Sequence, residues 1–267
     1  MVHFFLQDSS ESDALDIEIA ELKSELTQNH IHTYQIVSSP FFEKYDDTEH
    51  SRQWIKKHGI PVGSLEFVQT FLREFHGVDH MNPIEIPKEL RLPKFLLRDY
   101  QLIPYDNIPV GKYKFVKNAC ELKQPTFIGN TDDLLKRRWL VNPNDVYQVS
   151  DVLDILSEYR VVVVENKIYG IQFYDGDPTI MPTPNEIKKI KEMVVRYSAS
   201  KSCPGAYTLD VSIIKTDNET GRDLALIECH PATSTGTYGC RGAFLPRMYE
   251  LGFKWYIDHN TKIQGTL

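Results

Sequence analysis

Leu224-Ala225-Leu226-Ile227-Glu228-Cys229-His230-Pro231, followed by Thr233-Ser234-Thr235-Gly236-Thr237-Tyr238-Gly239, is apolar and strand-like in its first half and ends in two metal-competent side chains. Glu228 and His230 are spaced by two, so a strand points both to one face, while Cys229 alternates to the other and reads as a small core residue. Pro231 stops the strand and a small polar loop follows. Upstream, Tyr207 to Lys215 is also strand-like and carries Asp210 as its one interior acid. The polar connection Thr216 to Arg222 is rich in turn residues, so the two runs read as an antiparallel hairpin. A hairpin symmetric about Glu219 sets Asp210 across from Glu228. Facing carboxylates repel, and a shared proton, a nearby Lys or Arg, or a bound cation must neutralise them. Hard oxygen ligands suit Mg2+ or Mn2+. The plain alternative is a solvated sheet face.

At 267 residues the chain has room for one large domain, or two or three small ones, with ample core. Its hydrophobic fraction of 41% and charged fraction of 25% are ordinary for a globular protein and argue against long disorder. A formal net charge of -7 without a Lys/Arg-dense run argues against general nucleic-acid binding, leaving room for a local basic cleft. No apolar run reaches a bilayer span, and the N-terminus lacks the basic-then-apolar order of a secretory signal. Cys120, Cys203, Cys229 and Cys240 are too scattered for a disulfide framework and read as free thiols in a reducing cytoplasm. A zinc site from Cys203, Cys229, His230 and Cys240 fails the close paired spacing of structural zinc ligands.

Along the chain, Val2 to Leu6 reads as a buried strand, followed by a helix with Leu15, Ile19, Leu22 and Leu26 on one face and a strand from His32 to Val37. This order predicts a small open α/β unit with a parallel pair. Ser64 can cap a helix that turns Leu65, Val68, Leu72 and Phe75 to one side. Pro83, Pro87, Pro93 and Pro104 punctuate a segment expected to resist regular structure, with a boundary near Pro104 to Pro109. In the strand Lys112 to Lys117, Tyr113, Phe115 and Lys117 share a face, so a Lys follows two aromatics on the expected packed side. It either snorkels to solvent or enters an anion pocket.

Val146 to Val149 reads as a strand, Val152 to Leu156 as a short helix, and Val161 to Val164 as a β-branched strand turned back by Glu165-Asn166-Lys167 into Ile168 to Phe173. Arg160 opens that buried strand, aimed at a phosphate or carboxylate or paired with an acid such as Glu158. Thr183-Pro184-Asn185-Glu186 is a capping box with Pro at the first helical position. A last helix is expected around Arg241 to Leu251.

Four segments in this order carry a resemblance: Lys114-Phe115-Val116-Lys117, Ser157-Glu158-Tyr159-Arg160, Gly205 to Asp210, and Ile227-Glu228-Cys229-His230-Pro231 with Thr237-Tyr238-Gly239. Together they resemble the ATP-grasp superfamily, most closely its phage-associated clade of small predicted carboxylate-amine ligases. The resemblance spans about residues 110 to 250, with the first hundred matching loosely a pre-ATP-grasp unit. It implies an α+β fold in which two α/β subdomains, 106–149 and 150–267, flank a nucleotide cleft and are preceded by a small open α/β unit at 1–105.

The implied activity joins a carboxylate to an amine through an acylphosphate, using ATP and Mg2+ or Mn2+. Lys117 and Arg160 are the implied catalytic residues. Lys114, Lys117, Tyr147, Val149 and Glu158 are the implied nucleotide-binding set, with the strand Val146 to Val149 flanking adenine through its backbone. Asp210, Glu228 and His230 are the implied metal ligands.

One departure stands out, since the family usually has Asn where this chain has His230, which tilts the preference toward Mn2+. No Gly-rich phosphate loop is present, so lysines and metal carry that task. The partners implied are small-molecule or peptide carboxylates and amines, without general nucleic-acid or membrane binding, and many such enzymes are homodimers. The rivals are an ATP-grasp phosphotransferase and a nucleotide- or partner-binding module with degenerate catalysis.

Overall fold

A computed structural model describes residues 2–8, 16–30, 32–38, 41–42, 48–79, 81, 84–120, 126–136, 141–233 and 235–263. Three sheets follow one another along the chain. The first comprises β1 (His3–Gln7), β2 (Thr33–Val37) and β3 (Gly59–Val62), all parallel in the order β2-β1-β3. Helices α1 (Asp16–Asn29), α2 (Glu49–His58) and α3 (Leu65–His76) connect and cover it. The expected parallel pair is present, and Ile19, Leu22 and Leu26 are buried while Leu15 lies outside the described residues. Ser64 caps α3 by accepting from the Phe67 N–H, and Gly77 closes it in the left-handed state at φ 66. The unit gains α2 and β3 beyond the expected elements. β3 is four residues long and buried throughout, so it offers no alternation to read.

The middle sheet contains β4 (Tyr100–Pro104), β5 (Tyr113–Asn118), β6 (Thr126–Asn130) and β7 (Val146–Ser150), antiparallel in the order β4-β7-β5-β6, with α5 (Thr131–Lys136) following β6. The Pro-punctuated segment is more regular than expected. It holds a 3-10 turn at Lys88–Leu90, the one-turn helix α4 (Pro93–Leu96) and β4 itself. Prolines fit here because Pro93 opens a helix and Pro104 ends an edge strand. Although β4 precedes the expected boundary, it is hydrogen-bonded to β7.

The third sheet has β8 (Ile155–Val164), β9 (Lys167–Gly176), β10 (Ala206–Lys215) and β11 (Arg222–Pro231), antiparallel in the order β11-β10-β8-β9. The β8–β9 turn places Glu165 and Asn166 at φ 48 and 67, matching the right-handed strand twist. Val152 to Leu156 is not helical. β8 starts at Ile155, opposite Ile214, where pairing with β10 overrides the local pattern. The Thr183–Glu186 capping box starts α6 (Pro184–Ser198), and the last helix, α7 (Leu245–Ile263), begins later and runs longer than expected. Gly242, at φ 141, ends the preceding loop, and Pro246 in the first turn favours the later start.

Both faces of the third sheet are covered. Val161, Val163, Leu209 and Val211 pack with Ile190, Met193 and Val194 of α6. Val162, Val164 and Ala206 pack with Met248 and Phe253 of α7 and with Phe4, Leu6 and Phe71 of the first unit. Each such aliphatic or aromatic side chain contributes roughly 1.5–3 kcal/mol by leaving water. α7 thereby fixes the first unit against one end of the third sheet and leaves the other end facing the middle sheet.

Candidate active site

Asp210 pairs with Glu228 across β10 and β11, as the hairpin reading expects. The route to that register differs. Near the turn Val211 pairs with Leu226, so the hairpin is not symmetric about Glu219, and Ile227 is an extra bulged residue that restores the Asp210–Glu228 pair. Register then extends from Asp210 to Arg160 on β8 and to Gln172 on β9. Glu228, Asp210, Arg160 and Gln172 form one row across the sheet, with His230 one step along β11. On the facing sheet, Leu102, Gln148 and Lys117 form a second row. Between them lies a cleft of about 410 Å³ lined by Lys117, Gln148, Arg160, Glu228 and His230. Ile84, Ile86 and Leu102 make part of it apolar, and Thr233, Thr235, Gly236 and Tyr238 contribute a polar loop.

Basic side chains neutralise the two acids. Arg160 grips Asp210 with a bidentate pair, Nε to Oδ1 at 2.8 Å and Nη2 to Oδ2 at 2.7 Å, and Nη1 donates to the Gly236 carbonyl at 3.1 Å. Lys117 crosses the cleft, and its Nζ donates to Glu228 Oε1 at 2.5 Å. His230 Nε2 lies between the acids, 3.0 Å from Glu228 Oε2 and 3.4 Å from Asp210 Oδ2. Burial pushes both carboxyl groups toward the neutral form. It is outweighed by Arg160 and His230 at Asp210 and by His230 and Lys117 at Glu228, holding both below the usual carboxylate range. Burial pushes the His230 imidazole down, and the two carboxylates reverse that and raise it.

Asp210, Glu228 and His230 each offer a ligand atom within 4.8 Å of the others. Two carboxylates and an imidazole form a donor set that fits a divalent cation such as Mg2+ or Mn2+. Tyr174 and Tyr238 stack with centroids 5.1 Å apart, and Arg160 sits 4.9 Å from the Tyr238 ring and 5.6 Å from the Tyr174 ring. Tyr238 holds φ 48, an uncommon backbone state for a bulky residue, on the loop that receives Arg160.

Other expected site residues lie elsewhere. Lys114 points to the opposite face of β5 from Lys117 and donates to Asp151 at 2.6 Å. Tyr147 and Val149 are buried in a small core with Val116, and the Tyr147 hydroxyl is engaged with the Asn142 backbone. Gln148, between them, faces the cleft, a position that simple alternation around two apolar residues could have indicated. Glu158 shares the face of Arg160 one step along β8, where it accepts from the Tyr174 hydroxyl, and burial raises its carboxyl. The face of β5 bearing Tyr113 and Lys117 is not the packed one. Val116 on the other face is buried, whereas Tyr113 is 67% exposed.

A family model for the ATP-grasp domain, the second family of its clade, matches residues 95–245, more than half of the chain. The chain belongs to this ATP-grasp family. An N5-carboxyaminoimidazole synthetase from Staphylococcus aureus complexed with ADP is similar in fold, with TM-score 0.54 and 11% identity over 96% of this chain and 77% of that one. A D-alanine–D-alanine ligase from Coxiella burnetii gives TM-score 0.51 and 12% identity over 99% and 96% of the two chains. That from Bacillus anthracis complexed with ATP gives 0.50 and 13% over 100% and 99%. At these identities the likeness speaks for the fold alone. No curated protein matches the chain. The ATP-grasp fold thus consists here of a first α/β unit and two sheet-based parts whose facing rows line the cleft. Among the described residues no helix is long and apolar enough to cross a membrane.

Proposed function

We propose that the protein is an ATP-dependent ligase that activates a carboxylate as an acylphosphate and joins it to an amine, releasing ADP and phosphate. The observation that carries this reading is the Lys117–Glu228 contact, which brings a phosphate-competent lysine from one sheet onto the carboxylate–imidazole cluster of the other. The division into an amino-terminal unit and a two-part catalytic region belongs to the same proposal, with Tyr100–Pro104 counted to the latter because it pairs with β7.

In this reading Asp210, Glu228 and His230 hold Mg2+ or Mn2+, with His230 favouring Mn2+ through its nitrogen. The bound cation supplies charge stabilisation to the transferring phosphoryl group. Because Arg160 and Lys117 already balance the two acids, the cleft offers a triphosphate little surplus positive charge, and nucleotide and cation enter together. Lys117, released from Glu228, then pairs with phosphate oxygens. A carboxylate oxygen of the substrate attacks the γ-phosphorus as the bond to the departing ADP oxygen breaks. The amine nitrogen next attacks the acyl carbon, and phosphate leaves with the electron pair of the C–O bond and takes up the amine proton. Arg160, fixed by Asp210 and Gly236, orients the carboxylate or acylphosphate, and the apolar wall of Ile84, Ile86 and Leu102 keeps water from the labile intermediate.

One observation favours a nucleotide-binding module without turnover: both Asp210 oxygens are already engaged by Arg160. The experiment that separates the two is ADP release with ATP, Mn2+ or Mg2+ and an array of carboxylate and amine pairs. ADP formed only when both partners are present supports the ligase. Metal-dependent nucleotide binding with no ADP from any pair supports the module.

A further inference from the structure

The geometry of the site turns on Ile227. From the hairpin turn outward, Lys215 pairs with Arg222, Ile213 with Leu224 and Val211 with Leu226. Beyond Ile227 the pairing resumes one residue out of step, with Asp210 opposite Glu228 and Leu209 opposite Cys229. Leu224, Leu226 and Cys229 therefore all lie in the core packed against α6, although a regular strand cannot place 226 and 229 on one face. Without the bulge, Glu228 and His230 would continue the face of Leu224 and Leu226 and point into that core.

A bulge interrupts the ladder, and carbonyl groups left there need another donor. Arg98 supplies it. Its Nη1 donates to the Leu226 carbonyl at 2.7 Å and its Nη2 to the Ile227 carbonyl at 3.3 Å, while Nη1 also reaches the Leu96 carbonyl at 3.1 Å. The turn before it is unusual: Leu97 closes α4 in the left-handed state at φ 52, uncommon for a bulky residue. A planar fork can serve two adjacent carbonyls in fixed directions, which a lysine ammonium cannot.

We propose that Arg98 is a positioning residue that locks the Ile227 bulge and so holds Glu228 and His230 on the cleft face opposite Asp210. Its consequence for metal and nucleotide binding rests on the ligase reading; the lock on register does not. Cys229 reports the register directly, since it is buried only while the bulge keeps it on the core side.

The test is the rate of thiol labelling at Cys229 and Cys240, both buried, mapped by mass spectrometry in wild type, Arg98→Gln, Arg98→Lys and Ile190→Val. The same samples are titrated with a non-hydrolysable ATP analogue and Mn2+. Arg98→Gln should label Cys229 at least about tenfold faster than wild type while Cys240 keeps its rate. It should also weaken Mn2+-analogue binding by roughly 10-fold or more, with Arg98→Lys in between. Ile190→Val, which trims the same core without touching the bulge, should leave Cys229 labelling within about twofold. Equal Cys229 protection in Arg98→Gln and wild type overturns the proposal. So does a general loosening, in which Cys229 and Cys240 rates rise together or Ile190→Val matches Arg98→Gln. Absence of Mn2+-analogue binding in wild type counts against the ligase reading, and Cys229 labelling still decides the role of Arg98.

Discussion

Replacing Asp210 with Asn leaves the Arg160 guanidinium buried without its counter-charge. The two residues are 4% and 9% exposed and share two short hydrogen bonds, so solvent screens little of the loss. Removing one partner of such a pair costs about 3–5 kcal/mol, and Asn, which keeps one acceptor, should fall near 3 kcal/mol. At about 2–4 °C per kcal/mol for a chain of this size, Tm should drop by roughly 6–12 °C in metal-free thermal denaturation. Asp210→Leu combined with Arg160→Met removes both charges and should recover to within about 2 kcal/mol of wild type. Acid should erase the difference. The Asp210 carboxyl lies below its ordinary value of 3.8, so the pair's stability is present above that pH and lost as pH falls further. An Asp210→Asn protein melting within about 2 °C of wild type, or a double variant as unstable as the sum of the singles, would refute the reasoning.

The Lys117–Glu228 pair is more exposed, at 25% and 22% of the side chains, so Lys117→Met should cost about 1 kcal/mol or less in denaturant unfolding while weakening metal-nucleotide affinity roughly tenfold in calorimetry. His230→Asn exchanges a nitrogen donor for an amide oxygen and should lower the Mn2+ over Mg2+ affinity ratio roughly tenfold, read by competition titration. Burial between Phe71 and Phe253, with Lys56 adding to it, pushes the His76 imidazole down to about 4. Its folded value lies below the ordinary 6.5, so stability is full above that pH and falls as pH drops toward 4; His76→Phe should flatten the Tm profile across that window. Thr183→Ala removes the capping box of α6 and should cost about 1 kcal/mol by chemical denaturation.

Much of the site was written in local pattern. The turn-rich connection between two apolar runs suffices to pair Asp210 with Glu228, and period-two alternation separates Glu228 and His230 from Cys229. The bulge at Ile227 was not legible, because a one-residue insertion leaves no compositional mark and is decided by which side chains fill the core against α6. Arg98 left no signal either, since it acts on carbonyl groups 128 and 129 residues away in sequence, and carbonyls carry no residue identity. β4 was hidden by its prolines, which suit an edge strand as well as a loop. Tyr113 and Phe115 misled in another way. Aromatics beside Lys117 read as a packed face, whereas they share the cleft face of the middle sheet. Tyr147 and Val149 are core residues for the reason Gln148 is not, their place in the alternation of β7.

The most direct test of the account is a titration of the protein with a non-hydrolysable ATP analogue in the presence of Mg2+, of Mn2+ and of neither, on wild type and Glu228→Gln. Glu228→Gln removes a ligand charge and little volume, so the fold should persist. The account predicts binding that requires a divalent cation, is tighter with Mn2+, and weakens at least about tenfold in the variant. Cation-independent binding that Glu228→Gln leaves unchanged, or no binding under any condition, would contradict it.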